Sequence, residues 1–302
     1  MSDTVESLRK KIGQAETLGS VVRTMKTLAS ISIRQYEEAV RSLGDYTRTI
    51  ELGLSLCLRH PEGAADRSGQ GDDDPLRAIA VVFGSDQGLV GLFNERVAGT
   101  AAGKLSPLGA RCAVLPVGER IQLRLKELGI EPAGLFAVPN SVGAITLLVG
   151  ELLSAIEKLR GHDTVFALHL VYNTPLSGGA CQPTSKRLLP LDRSWEQEIL
   201  RAAGPWPAPV MPELPNGLKT TRWALVREYI FVSLFRACAE SLAAENASRL
   251  AAMQRAEKNI DELSGEFTLR YNELRQADID EELFDIISGF QALGNTRAPD
   301  RR

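Results

Sequence analysis

The segment GSDQGLVG (84–91) comes nearest to a reactive motif in this 302-residue sequence. A glycine-rich turn between a strand and a helix can offer backbone N–H groups to a phosphate. The spacing here is not G-x-G-x-x-G, and no G-K-[ST] follows, so neither nucleotide-binding fingerprint is present. The segment reads as a tight strand-to-helix turn in which Gly88 and Gly91 allow close packing. Asp72, Asp73 and Asp74 could invite a divalent cation, but adjacent side chains diverge unless a fold aims them, and a solvated acidic linker is the simpler reading. His162, Asp163 and Ser177 have the residue types of a hydrolytic triad without the G-x-S-x-G elbow that would present the serine. Cys57, Cys112, Cys181 and Cys238 are scattered, as are His60, His162 and His169. That spacing holds no zinc, and the cysteines read as reduced thiols of a cytosolic protein. His169 alternates within an apolar run and reads as a packed or edge histidine. No catalytic, metal or cofactor-binding residue is therefore expected.

The elements that would position such groups say more. Hydrophobic residues make up 44% and charged residues 24%, with a net charge of -3. That is globular composition without a basic field for nucleic acid. The opening MSDTVESLRK has no apolar signal core, and no apolar run approaches bilayer length. Prolines then divide the chain, because long proline-free stretches are what long helices require. Over 1–58, apolar residues recur in steps of three and four: Val5, Leu8, Ile12, Ala15, Leu18, Val22, Met25 and Ala29, then Tyr36, Ala39, Leu43, Tyr46 and Ile50. This predicts one helical stripe, started by Ser2 or Asp3 with Glu6 as capping box. Gly13, Gly19, Gly44 and Gly53 oppose it at ~1 kcal/mol each. Residues 59–75 read as a flexible linker.

Over 76–195, short β-branched runs at 77–84, 111–118 and 164–172 alternate with helical patterns at 94–105, 119–128 and 144–160. The alternation predicts a three-layer, Rossmann-like α/β domain with a largely parallel sheet, and 183–191 is expected as a proline-tolerant edge strand. Residues 196–217 read as a Pro-rich connector. Over 218–295 a second long helix is expected, with Met253, Ala256, Ile260, Leu263, Phe267, Tyr271 and Leu274 in one register. Ile279, Leu283, Ile286, Phe290 and Leu293 form another.

A helix of about 76 residues spans ~114 Å, whereas a compact 302-residue globule is roughly 50 Å across. Its stripe must be buried by something other than its own globular body. The first helix is one candidate, which predicts a long antiparallel coiled coil of N- and C-terminal helices beside the α/β domain. The apolar overhang then calls for an enclosing partner.

Four segments carry a resemblance. They are TLRYNELRQADIDEELFDIISGFQAL (268–293), ENASRLAAMQRAEKN (245–259), SDQGLVGLFN (85–94) and VRTMKTLAS (22–30). In order and spacing the chain resembles the gamma subunit, the central rotor shaft, of F-type ATP synthases. It departs from the usual pattern in a less basic GQAETLGSVVRTM (13–25), in Gln87 for arginine, in Val90 for cysteine and in Asp280 for threonine. These departures resemble the alternate, often sodium-linked, bacterial branch. The resemblance implies a non-catalytic rotor that couples ion flow to ATP synthesis or hydrolysis. Its implied partners are the catalytic alpha/beta hexamer, the epsilon subunit and the membrane c-ring. The implied location is the cytoplasmic face of the bacterial inner membrane, with membrane contact only through the complex. It also implies partner contact at Met25, Arg275, Gln276 and Glu282. Taken without the resemblance, Met25 would be a stripe residue and the other three a solvated helix face. The competing readings are an α/β nucleotide-binding enzyme with helical extensions and a non-rotary coiled-coil scaffold.

Overall fold

The computed structural model describes residues 4–60, 77–160, 166–176, 180–191, 193–204, 206, 210, 212–214 and 217–295. The acidic cluster at 72–74 and the His162, Asp163 and Ser177 trio lie outside the described residues, as does most of the expected 59–75 linker. The chain divides into two compact units, one made of Met1–Thr27 with Met253–Arg302 and the other of Leu28–Ala252. Two helices contribute to both: α1 (Val5–Arg59) and α6 (Leu218–Asn295).

The larger unit is built on a four-stranded sheet of β1 (Ala78–Phe83), β2 (Cys112–Val117), β3 (Ala167–Pro175) and β4 (Cys181–Leu189), in the order β2-β1-β3-β4. β1 is central, parallel to both neighbours, and every one of its residues is buried. Its continuous apolar run AIAVVF is what a strand covered on both faces requires. Alternation assigns the faces. Ala80 and Val82 pack with Val97, Ala98 and Ala101 of α2 (Phe93–Leu105) and with Ile121 and Leu125 of α3 (Glu119–Glu127). Ile79, Val81 and Phe83 pack on the other face with Ile145, Val149 and Leu152 of α4 (Val142–Arg160). That cluster also takes in Ile50, Leu54 and Leu58 of α1 and Val226, Val232 and Leu242 of α6. The result is the expected three-layer α/β arrangement.

β4 closes one edge antiparallel to β3, with Pro183 opposite Asn173. An edge tolerates proline because one side of the strand needs no ladder donor. A helix the periodicity reading did not include, α5 (Arg193–Ala203), lies across the start of the Pro-rich segment. It is short, but Trp195, Ile199 and Ala203 recur in steps of four and are all buried.

In the smaller unit α1 and α6 run antiparallel. Lys11 stands over the Phe267 ring, Gly19 faces Ile260, and Lys26 pairs with Glu257. Numbers rise on one helix as they fall on the other. The larger unit repeats the sense, with the Tyr46 hydroxyl on Glu228 and Gly53 against Leu225. The caps expected at Ser2 or Asp3 lie outside the described residues, and two details add to the periodicity reading. The start of α1 is capped by Thr4: its Oγ1 accepts from the Ser7 amide, and the Ser7 hydroxyl oxygen accepts from the Thr4 amide. Leu18 is 57% exposed, and Gly19 takes the buried seam position beside it. A Cβ at 19 would make only ordinary van der Waals contact with Ile260, at 3.7 Å, so the seam has room for a methyl group there.

Candidate partner-contact surface

The turn that looked most like a ligand cradle is filled by the protein itself. After β1, the Ser85 amide donates to Asn94 Oδ1 at 3.1 Å, and Asn94 Nδ2 returns a bond to Ser85 Oγ at 2.8 Å. The Asp86 carboxylate accepts from the Glu119 amide and from the Val138 amide, each at 2.9 Å. The orphan donor at the start of α3 is thus met by a side chain of the same chain. Gly118 adopts φ +119°, and a Cβ there would lie 2.7 Å from the Ser85 carbonyl oxygen, so only glycine fits. Val90 and Phe93 pack with Cys181 and Ala244, which docks the turn on β4 and α6. Its work is structural: it ties the carboxyl ends of the strands to the long helix.

Of the other reactive residues, the cysteines and His169 are buried or half-buried, and His60 is exposed. Cys57, Cys112, Cys181 and Cys238 are free thiols. Burial pushes the Cys112 thiol up to about 11 and raises Cys238 as well, with Glu245 adding to it. Burial, and next to it Arg187, lowers His169, which pairs across the sheet with Arg187 as a half-buried residue. Among the described residues no group of three or more His, Cys, Asp or Glu side chains could hold a metal ion.

The smaller unit offers a different kind of surface. Its seam contains Leu8, Ala15 and Val22 of α1, all buried, against partly or fully buried Met253, Ile260, Ser264, Phe267, Tyr271 and Leu274 of α6. The α6 positions step by three, four or seven, the spacing of one helix face. Beyond Leu274 the covering stops: every residue from Arg275 to Gly289 is exposed. Exposed there are Ile279, Leu283, Phe284, Ile286 and Ile287, with Phe284 at 69%. Arg275, Ile279, Glu282 and Ile286 fall on one face in steps of four, three and four, with Gln276, Leu283 and Ile287 beside them. Charged, amide and large apolar side chains are therefore interleaved along one exposed stretch of helix. Arg275, Gln276 and Glu282 lie together on this uncovered stretch. Met25 does not. It is half-buried on α1, next to Lys26, whose Nζ makes a 2.5 Å bond to Glu257. Leu18, which the stripe reading counted as covered, and Val21, which it left out, are both exposed on the same helix.

The sequence reading also missed a buried ion pair in the larger unit. Glu245 Oε1 accepts from Arg249 Nη2 at 2.6 Å, with the two side chains 7% and 13% exposed. Burial raises the Glu245 carboxyl above its ordinary range, Arg249 opposes that, and Asp86 adds to it. The i, i+4 spacing of the pair was the available signal, but spacing does not reveal burial.

The ATP synthase family model matches residues 4–293. The chain belongs to the ATP synthase family. Its relatives include the ATP synthase gamma chain of Phenylobacterium zucineum, 27% identical over 96% of this chain and 99% of the relative. The gamma chain of Geotalea daltonii is 28% identical over 96% and 99%. Among solved structures, a chain of the Euglena gracilis mitochondrial ATP synthase shares the fold at a TM-score of 0.64. It is 18% identical, with 99% of this chain and 97% of that one covered. A chain from the central stalk and c-ring of the Tetrahymena thermophila mitochondrial enzyme matches at a TM-score of 0.56 and 18% identity, covering 78% and 99%. The role is that of a rotor subunit of an F-type synthase, and it is non-catalytic. Among the described residues no helix is long and apolar enough to cross a membrane.

Proposed function

We propose that this protein transmits torque between an ion-driven membrane c-ring and a catalytic alpha/beta hexamer, with an epsilon subunit beside it on the rotor. It works at the cytoplasmic face of a bacterial inner membrane and meets the membrane only through the complex. The single observation that carries the reading is the uncovered run from Arg275 to Gly289, which leaves five large apolar side chains exposed on one helix. Enclosure by a ring of partner subunits removes that exposure. An asymmetric shaft presents a different face to each catalytic subunit and so biases their conformational populations differently, without lowering any chemical barrier itself. In this reading 1–58 and 218–295 form the shaft, 59–75 is a linker, 76–195 is the α/β body and 196–217 is the connector. Met25, Arg275, Gln276 and Glu282 contact the catalytic ring.

The test is made on the assembled complex. Native mass spectrometry should give one copy of this chain per three catalytic subunits; several copies, or none, defeats the rotor. Arg275→Ala, Gln276→Ala and Glu282→Ala should leave the melting temperature of the free chain unchanged, because these side chains are exposed. Ion-driven ATP synthesis should fall by roughly fivefold or more where a side chain is an interface anchor. Normal synthesis in all three variants removes the contact assignment.

A further inference from the structure

On the face of the sheet that carries α1 and α6, the helices do not close completely over β3 and β4. Between α5, α6 and the later turns of α1 lies a cavity of about 450 Å³. That is within the ~300–1,000 Å³ usual for small-molecule pockets. Its walls are apolar where they are deepest, with Leu170 of β3, Ile199 of α5 and Val232 of α6.

The charges lining it do not cancel. Arg236 Nε lies 2.7 Å from Glu240 Oε1, so this cation and carboxylate neutralise each other. Glu240 also accepts the Tyr172 hydroxyl. Three charged groups remain on the lining: Glu51 of α1, Glu198 of α5 and Lys186 of β4. None of the three makes a salt bridge within 4.0 Å among the described residues; burial raises the Glu51 carboxyl, Lys186 and Arg236 oppose that at longer range, and Glu198 adds to it. Lys186 Nζ instead stands 5.7 Å from the Tyr229 ring centroid, a cation–π contact that occupies the aromatic wall. Two carboxylates against one ammonium leave one negative charge uncompensated beside an apolar hollow. An anion would find Arg236 already engaged and two carboxylates repelling it. A divalent metal would share the space with Lys186. An organic ammonium sets one positive charge rather than two against Lys186, and it brings an apolar body that the hollow can take.

We propose that this cavity binds a small primary amine with an apolar body, its ammonium held between Glu51 and Glu198 and its body against Leu170, Ile199 and Val232. Charge-assisted hydrogen bonds supply orientation, and the apolar wall supplies affinity. The proposal is independent of the rotor role: it concerns the α/β body and would stand or fall without changing the shaft.

The probe is phenethylamine, titrated calorimetrically into the full-length chain and into the assembled complex. 2-Phenylethanol and phenylacetate serve as neutral and anionic analogues. Saturable binding of the amine in the millimolar range or tighter is expected, with both analogues weaker by about tenfold or more. Glu51→Gln should weaken the amine about tenfold, and Lys186→Met should tighten it by removing a like charge from the site. Glu151→Gln, on the exposed side of α4, should leave binding as it was. Circular dichroism checks each variant for folding. If Glu51→Gln does not fold, Glu198→Gln on exposed α5 surface reads the same contact. No saturable amine binding at millimolar concentration overturns the proposal. So does equal binding of alcohol and amine, or an unchanged affinity in folded Glu51→Gln and Glu198→Gln.

Discussion

Arg249→Met should destabilise the α/β unit strongly at neutral pH and weakly in acid. Glu245 is buried on α6, its Oε1 bonded to Arg249 and its Oε2 without a hydrogen-bond partner. Methionine keeps much of the arginine stem's packing and removes only the charge and its donors. Breaking a buried pair from one side leaves an uncompensated charge, at a cost of ~3–5 kcal/mol. For a unit of this size that corresponds to a fall in melting temperature of roughly 6–20 °C. The pH dependence is the sharper test. Burial already raises the folded carboxyl above its unfolded value, with Arg249 opposing the rise. Between the two values the folded state holds the extra proton. Stability is therefore greatest below the unfolded value and declines as pH rises through the folded one. Removing Arg249 removes the opposing effect, so the decline becomes deeper and reaches higher pH. Urea unfolding of variant and parent, from about pH 4 to about pH 8, should show curves that lie close in acid and separate steadily as Glu245 ionises. The double variant Glu245→Gln with Arg249→Met should recover much of the loss at the upper end, since no buried charge remains. A gap between variant and parent that is constant with pH, or absent, refutes the reasoning.

Gly84→Ala should also destabilise the α/β unit. Its Cβ would meet the Ile121 Cβ at 2.2 Å and Asn94 Oδ1 at 2.8 Å, and overpacking of this kind costs ~1–3 kcal/mol; an unchanged thermal melt would contradict the stated packing of β1 on α3. Leu8→Ala empties a fully buried seam position, worth ~2–5 kcal/mol locally. Hydrogen exchange should accelerate in the first turns of α1 while β1 and β3 keep their protection, and uniform acceleration across both would show that the two units do not unfold separately.

Much of the architecture could be read from pattern because it rests on local rules. The β-branched runs became β1, β2 and β3, and the proline-bearing run became the edge strand. The steps of three and four became α1 and α6. Where the reading slipped, it chose the larger apolar residue over the one the partner helix selects. Leu18 was assigned to the stripe and Gly19 counted as a defect, yet Gly19 is the buried position, facing Ile260, and Leu18 is exposed. Leu263 was assigned as well, but it is exposed and Ser264 is the more covered neighbour. Helix α5 escaped because its eleven residues carry too few turns for periodicity to stand out beside the prolines that follow.

By itself, then, the sequence determined what depends on neighbours three or four positions away: which segments are helix and which strand, which prolines end them, and which motifs tie the chain to its family. Tertiary structure decided everything that requires segments distant in sequence to meet. It supplied Asp86 to the start of α3, buried Glu245 against Arg249, left α6 uncovered beyond Leu274, and gathered Glu51, Lys186 and Glu198 around one cavity. Periodicity specifies the angle at which a side chain leaves its own axis, whereas burial and charge compensation depend on what another axis brings against it.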